Sequence, residues 1–173
     1  MNDIVKQSKF LSYILRHCPE SVGLTLDING WANVDELLQK ANLNFESLCE
    51  VVDTNNKKRF TFNEDKTKIR AAQGHSIDIN LNLKPTKPPD SLYHGTAKHN
   101  WLSINIQGLI KCSRQYVHLS ADEATALKVG QRHGEPLILR INSQSMFIDN
   151  YQFYLSDNNV WLTDSVPRKF ISL

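Results

Sequence analysis

Cysteine is scarce in this chain: Cys18, Cys49 and Cys112 are widely spaced and form no C-x-x-C pair. An odd number cannot form a closed disulfide framework, so a reducing compartment, the cytoplasm, is expected. The three thiols read as small packing residues. Long apolar runs are also missing. No stretch approaches the roughly 18 residues of a membrane span, and the opening Met1-Asn2-Asp3-Ile4-Val5-Lys6 has no apolar signal core. No G-x-G-x-x-G follows an expected strand, which argues against a Rossmann dinucleotide cradle. His94, His99, His118 and His133 lack the spacing of a zinc motif, so no metal is expected. Nor is there an excess of one charge. The net charge is +2 and the pI about 8.4, with basic and acidic side chains matched up to Lys84 and nearly so beyond it. Bulk charge therefore gives little support to nucleic-acid binding, and any such case must come from local clusters.

What remains is an ordinary globular composition, 40% hydrophobic and 22% charged over 173 residues. That is enough for one compact domain or two small lobes, and a monomer suffices. Pro85, Pro88 and Pro89 make segment 85–90 an extended strap without regular hydrogen bonding. It divides the chain into lobes 1–84 and 91–173. In the first lobe, Phe10, Leu11, Ile14 and Leu15 predict a helix over 4–17 that Cys18-Pro19 ends. Asn29-Gly30 marks a tight turn. Asn33 caps a helix over 34–40, with Glu36 completing a capping box, and Asn44 caps another to about residue 52. Segments 59–62 and 68–71 flank a polar turn as a hairpin. Short helices followed by a two-stranded wing point to a winged-helix lobe.

The second lobe opens with a strand, Leu92-Tyr93-His94-Gly95-Thr96, and continues with a helix that has Trp101, Leu102 and Ile104 on its apolar side. A strand over 116–120 leads into a helix to residue 129, for which Ser120 is the expected cap and Glu123 the box partner. Further strands are expected at 137–141, 152–155, 160–162 and 169–172. The fold class is α+β, with a mixed or antiparallel sheet in the second lobe.

Several groups carry possible chemistry. Arg16-His17 stands at a helix C-terminus, where basic side chains complement the helix dipole; the same pair can clamp an anion and move protons. Lys57, Lys58, Arg59, Lys66, Lys68 and Arg70 crowd one hairpin. Lysine-rich strand edges resist aggregation, and they also contact RNA backbones; charge alone favours neither. Gln73-Gly74-His75-Ser76 is a polar glycine turn, of consequence only if its side chains face a ligand. His94 and His118 each end an expected strand before a turn, where ligand-binding groups gather, although a lone strand histidine is more often a satisfied core residue. Arg132 lies in a glycine-bounded loop, by default a surface arginine and otherwise a second phosphate ligand.

Six segments in order carry a resemblance that runs nearly end to end. They are Leu11-Ser12-Tyr13-Ile14-Leu15-Arg16-His17-Cys18-Pro19, Lys58-Arg59-Phe60, Ile69-Arg70-Ala71-Ala72-Gln73-Gly74-His75-Ser76, Tyr93-His94-Gly95-Thr96, Val117-His118-Leu119-Ser120 and Val129-Gly130-Gln131-Arg132-His133-Gly134. Together they resemble the NAD-dependent RNA 2′-phosphotransferase family, known for tRNA splicing. The resemblance implies a winged-helix RNA-binding lobe and an ADP-ribosyltransferase-like lobe that takes NAD⁺ as a consumed co-substrate, without metal. It implies a catalytic tetrad of Arg16, His17, Arg59 and Arg132. The cofactor-binding positions it implies are His94, Gly95, Thr96, His118, Leu119, Ser120 and Ile138, the last standing where many relatives of that fold have a glutamate. It further implies contacts to RNA from Lys58, Arg70, Gln73, His75 and Ser76. The implied reaction has two steps: the RNA 2′-phosphate displaces nicotinamide, and the neighbouring ribose hydroxyl then takes the phosphate, leaving a 2′-OH RNA and ADP-ribose 1″,2″-cyclic phosphate. Two other readings remain: an ADP-ribosyltransferase that stops after the first step, and a non-enzymatic nucleic-acid binder.

Overall fold

The computed structural model describes residues 3–55 and 58–173, so Lys57 of the basic cluster lies outside the described residues. The chain forms two compact units, Met1–Asn82 and Leu83–Leu173.

In the first unit, helix α1 (Asp3–Arg16) buries Leu11, Ile14 and Leu15, the three-and-four spacing of one helical face. Pro19 opens a 3₁₀ turn, Pro19–Val22, which Gly23 closes at φ 67°. Strand β1 (Ala32–Asn33) runs directly into α2 (Val34–Ala41), followed by α3 (Phe45–Asp53). Both expected caps are present. The Asn33 side chain accepts from the Glu36 N–H at 3.0 Å, and Asn44 accepts from the Ser47 N–H at 2.7 Å. The Glu36 carboxylate pairs with Lys40 one turn on, at 2.5 Å. Strands β2 (Phe60–Phe62) and β3 (Lys68–Ala71) form the expected hairpin. β1 joins the other edge, giving an antiparallel sheet in the order β1-β3-β2. Ile69 of the central strand packs with Leu11, Ile14, Leu37, Leu48 and Phe60. Each such fully buried side chain contributes about 1.5–3 kcal/mol.

The second unit contains β4 (Leu92–Ala97), α4 (Trp101–Gln107), β5 (Leu109–Ile110), β6 (Val117–Leu119), α5 (Glu123–Gly130) and β7 (Pro136–Ile141). It continues with α6 (Ser143–Ile148), β8 (Tyr154–Leu155), β9 (Trp161–Thr163), β10 (Ser165–Val166) and β11 (Ile171–Ser172). The sheets are β11-β7-β4, β6-β9-β8 and β10-β5, all antiparallel among the described residues. Tyr93 and Ser120 exchange backbone hydrogen bonds of 2.9 and 2.7 Å, which sets β6 beside β4. The core holds Leu92, Leu119, Leu139, Ile141, Met146 and Phe153. Mixed helix and antiparallel sheet make the chain α+β.

The proline segment 85–90 runs without helix or strand, anchored by isolated hydrogen bonds: the Thr86 N–H donates to the Phe153 carbonyl at 2.8 Å, and the Ser143 hydroxyl donates to the Pro89 carbonyl at 2.6 Å. Four expectations need correcting. Leu102 is 77% exposed while Ile104 is buried, because the covered face of α4 follows Ile104. Ser120 does not cap α5, because the helix begins at Glu123 and the cap falls on Asp122, which accepts from the Thr125 N–H at 2.7 Å. Two strand expectations shorten: 152–155 becomes Tyr154–Leu155, and 169–172 begins as a 3₁₀ turn, Arg168–Phe170, before β11.

Candidate functional site

Within the first unit, the segment after β3 folds against the end of α1. The Ser76 N–H donates to the Arg16 carbonyl at 3.0 Å, and the Ser76 hydroxyl lies 2.9 Å from His17 Nδ1. The last turn is further closed by the His17 and Cys18 N–H groups, both on the Tyr13 carbonyl. Backbone donors thus cap the helix, and the Arg16 guanidinium reaches elsewhere. Its Nη2 contacts the Arg59 carbonyl at 3.5 Å, and it lies 6.0 Å from the Phe60 ring centre. Gly74 turns the loop past the Arg16 guanidinium at φ +89°, a left-handed conformation that side-chain-bearing residues rarely adopt. The Arg59 carbonyl also accepts from the Ala72 N–H at 2.8 Å, and Arg59 Nη1 donates to Asn55 at 3.1 Å. Arg16, His17, Arg59 and the Gln73–Ser76 turn therefore converge on one end of one helix.

His75 is 1% exposed. Neither of its ring nitrogens, nor Gln73 Oε1, has a hydrogen-bond partner among the described residues. Its Nε2 lies beside Gly30, 3.6 Å from where a Cβ would stand. Burial, then the positive charges of Arg16, His17 and Arg70, push its pKa from 6.5 down to about 4. The ring is therefore neutral near pH 7, a donor on one nitrogen and an acceptor on the other.

The remaining basic side chains are more dispersed. Arg70 stacks over the Trp31 ring at 4.6 Å and Lys66 over Phe62 at 5.9 Å, while Lys68 pairs with Asp27 at 3.6 Å. Lys68 and Arg70 sit on the central strand β3, so edge protection is not their role. Lys58 is exposed, with φ 42°.

Within the second unit, His94 and His118 lie on the adjacent strands β4 and β6. His94 Nδ1 is 3.0 Å from the His118 carbonyl. A carbonyl only accepts, so this contact puts the proton on Nδ1 and leaves Nε2 as the acceptor. Burial, and secondarily the charges of Arg114 and His133, lower the His94 pKa despite the His118 carbonyl, so the ring is held neutral. Gly95 has a packing reason: a Cβ there would lie 1.7 Å from the Ala126 carbonyl oxygen, so α5 could not cross β4 as it does. Ile138 faces Gly95 across the β4–β7 ladder. The buried Thr96 hydroxyl accepts from Asn100 at 3.1 Å. Leu119 places its side chain in the core, and Ser120 spends its backbone on Tyr93. Arg132 is exposed in the turn after α5, where Lys98 and Glu135 tie the loop end to β4. Sequence reasoning missed Arg114, whose Nη1 contacts His118 Nδ1. An arginine ahead of a strand carries no motif that would have flagged it.

Among the described residues, no group of three His, Cys, Asp or Glu side chains is arranged to hold a metal ion, and no helix is long and apolar enough to cross a membrane.

The pattern of the family described as RNA 2′-phosphotransferase, Tpt1 / KptA family, matches residues 2–165. A protein of Flavobacterium johnsoniae named probable RNA 2′-phosphotransferase is 56% identical, covering 99% of this chain and 98% of its own. A protein of Fusobacterium nucleatum with the same name is 55% identical over 99% of each chain. One of Agrobacterium fabrum, again so named, is 53% identical over 96% of this chain and 92% of its own.

Proposed function

This chain belongs to the RNA 2′-phosphotransferase, Tpt1 / KptA, family and is a transferase acting on RNA 2′-phosphate, and we propose that it passes that phosphate to NAD⁺. NAD⁺ supplies the electrophilic ribose carbon and then the hydroxyl that carries the phosphate away, so the products are nicotinamide, 2′-OH RNA and ADP-ribose 1″,2″-cyclic phosphate. The observation that carries the reading is the gathering of Arg16, His17 and Arg59 with the Gln73–Ser76 turn at the end of α1. The alternative role for Arg16 and His17, capping a helix and complementing its dipole, explains less. Backbone N–H groups already cap that end, and the Arg16 side chain points to the Arg59 carbonyl.

Phosphoryl transfer asks a protein mainly for positioning and charge neutralisation. Arg16, Arg59 and Arg132 act as the guanidinium donors to the phosphate, matching its oxygens in bidentate fashion. His17 moves the proton in the second step, with Ser76 orienting its ring from Nδ1. Lys58, Arg70, Gln73 and Ser76 bind the RNA, and His75, 1% exposed, backs the turn that carries Gln73 and Ser76 rather than touching the ligand. The first unit, three short helices with a three-stranded sheet, then serves as a winged-helix lobe extending to about residue 84, and residues 91–173 as an ADP-ribosyltransferase-like lobe, with 85–90 linking them.

The second unit's donor set fits a ribose. His94 offers Nε2 as an acceptor for a hydroxyl, because Nδ1 is spent on the His118 carbonyl. His94, Gly95, Thr96, His118, Leu119, Ser120 and Ile138 would hold NAD⁺ there.

The test is the fate of 2′-phosphorylated RNA in the His17→Ala variant with NAD⁺. An RNA that gains ADP-ribose and keeps its phosphate, while wild type yields 2′-OH RNA, supports the assigned role. Full wild-type turnover by His17→Ala would reject it. A wild-type enzyme that itself halts at the ADP-ribosylated RNA would favour the transferase that stops after one step.

A further inference from the structure

Asn55 has no role so far in the proposed reaction, yet its side chain joins two parts of the site. It follows α3 and the capping residue Thr54, and its amide is used at both ends. Nδ2 donates to the Ser8 hydroxyl of α1 at 3.0 Å, and Oδ1 accepts from Arg59 Nη1 at 3.1 Å. A guanidinium has donors only, so the amide oxygen must face Arg59 and the amide nitrogen Ser8, where a hydroxyl can accept. Its backbone serves the same stretch, since the Lys58 N–H donates to the Asn55 carbonyl at 2.8 Å. Arg59 is thereby fixed at two points, its own carbonyl by the Ala72 N–H and its Nη1 by Asn55. Among the described residues no carboxylate pairs with it. Burial pushes its pKa below the ordinary value, the direction of a cation whose charge no carboxylate offsets.

We infer that Asn55 is a positioning residue that aims the Arg59 guanidinium at the RNA 2′-phosphate, and that its neutral amide does so without spending the guanidinium's charge. An arginine side chain carries about 2 kcal/mol of rotamer entropy, which the phosphate would otherwise have to freeze on binding. One bond to Asn55 removes much of that freedom and leaves the other N–H donors for phosphate oxygens. The bridge to Ser8 matters because an amide on a loop, tied to nothing else, would move with the arginine. Through Ser8 it is anchored to α1, the helix whose end carries Arg16 and His17. An aspartate would hold the guanidinium too, but as an ion pair that competes with the phosphate. The phosphate target rests on the functional reading above; the hold itself does not.

Two measurements on the full-length protein test this. Guanidinium ¹⁵N–¹H spectra show separate Nη signals for a group that is held from turning, and the Arg59 signals are identified by their loss in Arg59→Ala. Single-turnover kinetics follow phosphate removal, with NAD⁺, from an RNA oligonucleotide bearing one internal 2′-phosphate. Wild type is expected to show separate Nη signals for Arg59. Asn55→Ala merges them and slows phosphate removal about tenfold, the effect of one lost hydrogen bond, but adds no further loss when made in Arg59→Ala. Asn55→Asp keeps the signals separate, since a carboxylate accepts from Arg59 and from the Ser8 hydroxyl. It still slows the reaction about tenfold, because its charge competes with the phosphate. Separate signals persisting in Asn55→Ala would overturn the hold. An unchanged rate in Asn55→Ala would overturn the positioning role, as would the same tenfold loss in the Arg59→Ala background, which a purely structural contribution would give. Wild-type speed in Asn55→Asp would overturn the need for a neutral acceptor. If wild type removed no phosphate with NAD⁺, the functional reading would fail, while the spectra would still decide the hold.

Discussion

Replacing His75 by phenylalanine is expected to make the protein less sensitive to acid. His75 is buried with its pKa held at about 4, against 6.5 for an ordinary histidine. Between those values the unfolded chain binds a proton that the folded chain refuses, so stability falls as pH falls. At 1.36 kcal/mol for each pH unit, the loss is small at pH 7.5, about 2 kcal/mol by pH 5 and about 3 kcal/mol by pH 4. The assay is urea unfolding of wild type and His75→Phe at pH 7.5 and pH 5. Comparing the two pH dependences cancels any pH-independent cost of repacking the larger ring against Gly30 and Ile79. Wild type should lose about 2 kcal/mol more than the variant over that interval. Identical slopes, or a His75 ring signal that titrates near 6.5 in the folded protein, would refute the reasoning.

Other perturbations test other parts of the account. Gly95→Ala should displace α5 or unfold the second unit, costing about 3 kcal/mol or more, because its Cβ would meet a backbone oxygen that cannot swing away; thermal unfolding reads this, and a wild-type midpoint would contradict it. Asn33→Ala removes the acceptor for the Glu36 N–H and should cost about 1 kcal/mol in urea unfolding, with Asn33→Asp restoring most of it. Arg16→Ala and Arg132→Ala should each slow 2′-phosphate removal by about 100-fold or more in single-turnover assays, the scale of one lost donor to a developing charge. Wild-type rates in both would remove them from the site.

The caps of α2 and α3 were legible in the sequence because a cap is a contact between residues three apart, as Asn33 and Asn44 make it. The hairpin of β2 and β3 was legible for the same local reason. Ser120 was misread as a cap because α5 begins at Glu123, two residues later than expected, which puts Asp122 at the cap. Leu102 was misread because an apolar side chain does not say which helix face will be covered. Helix α6 is short and opens with a polar stretch, Ser143-Gln144-Ser145, so its periodicity carried little signal. At the candidate site, residue types and order were readable, but the reasons for them were not. Gly95 is required by the Ala126 carbonyl, a contact between distant parts of the sequence, and Gly74 by a backbone φ of +89° that the loop's path imposes. The contact of Arg114 with His118 depends on the bend of the loop between them, which no periodicity encodes.

The most direct test of the central claim is a mass balance on one reaction. Purified protein is incubated with an RNA oligonucleotide carrying a single internal 2′-phosphate, with and without NAD⁺, and every product is weighed. The account predicts loss of the phosphate only when NAD⁺ is present, with nicotinamide and ADP-ribose cyclic phosphate appearing in equal amounts. Phosphate released without NAD⁺, or RNA unchanged in its presence, would contradict it.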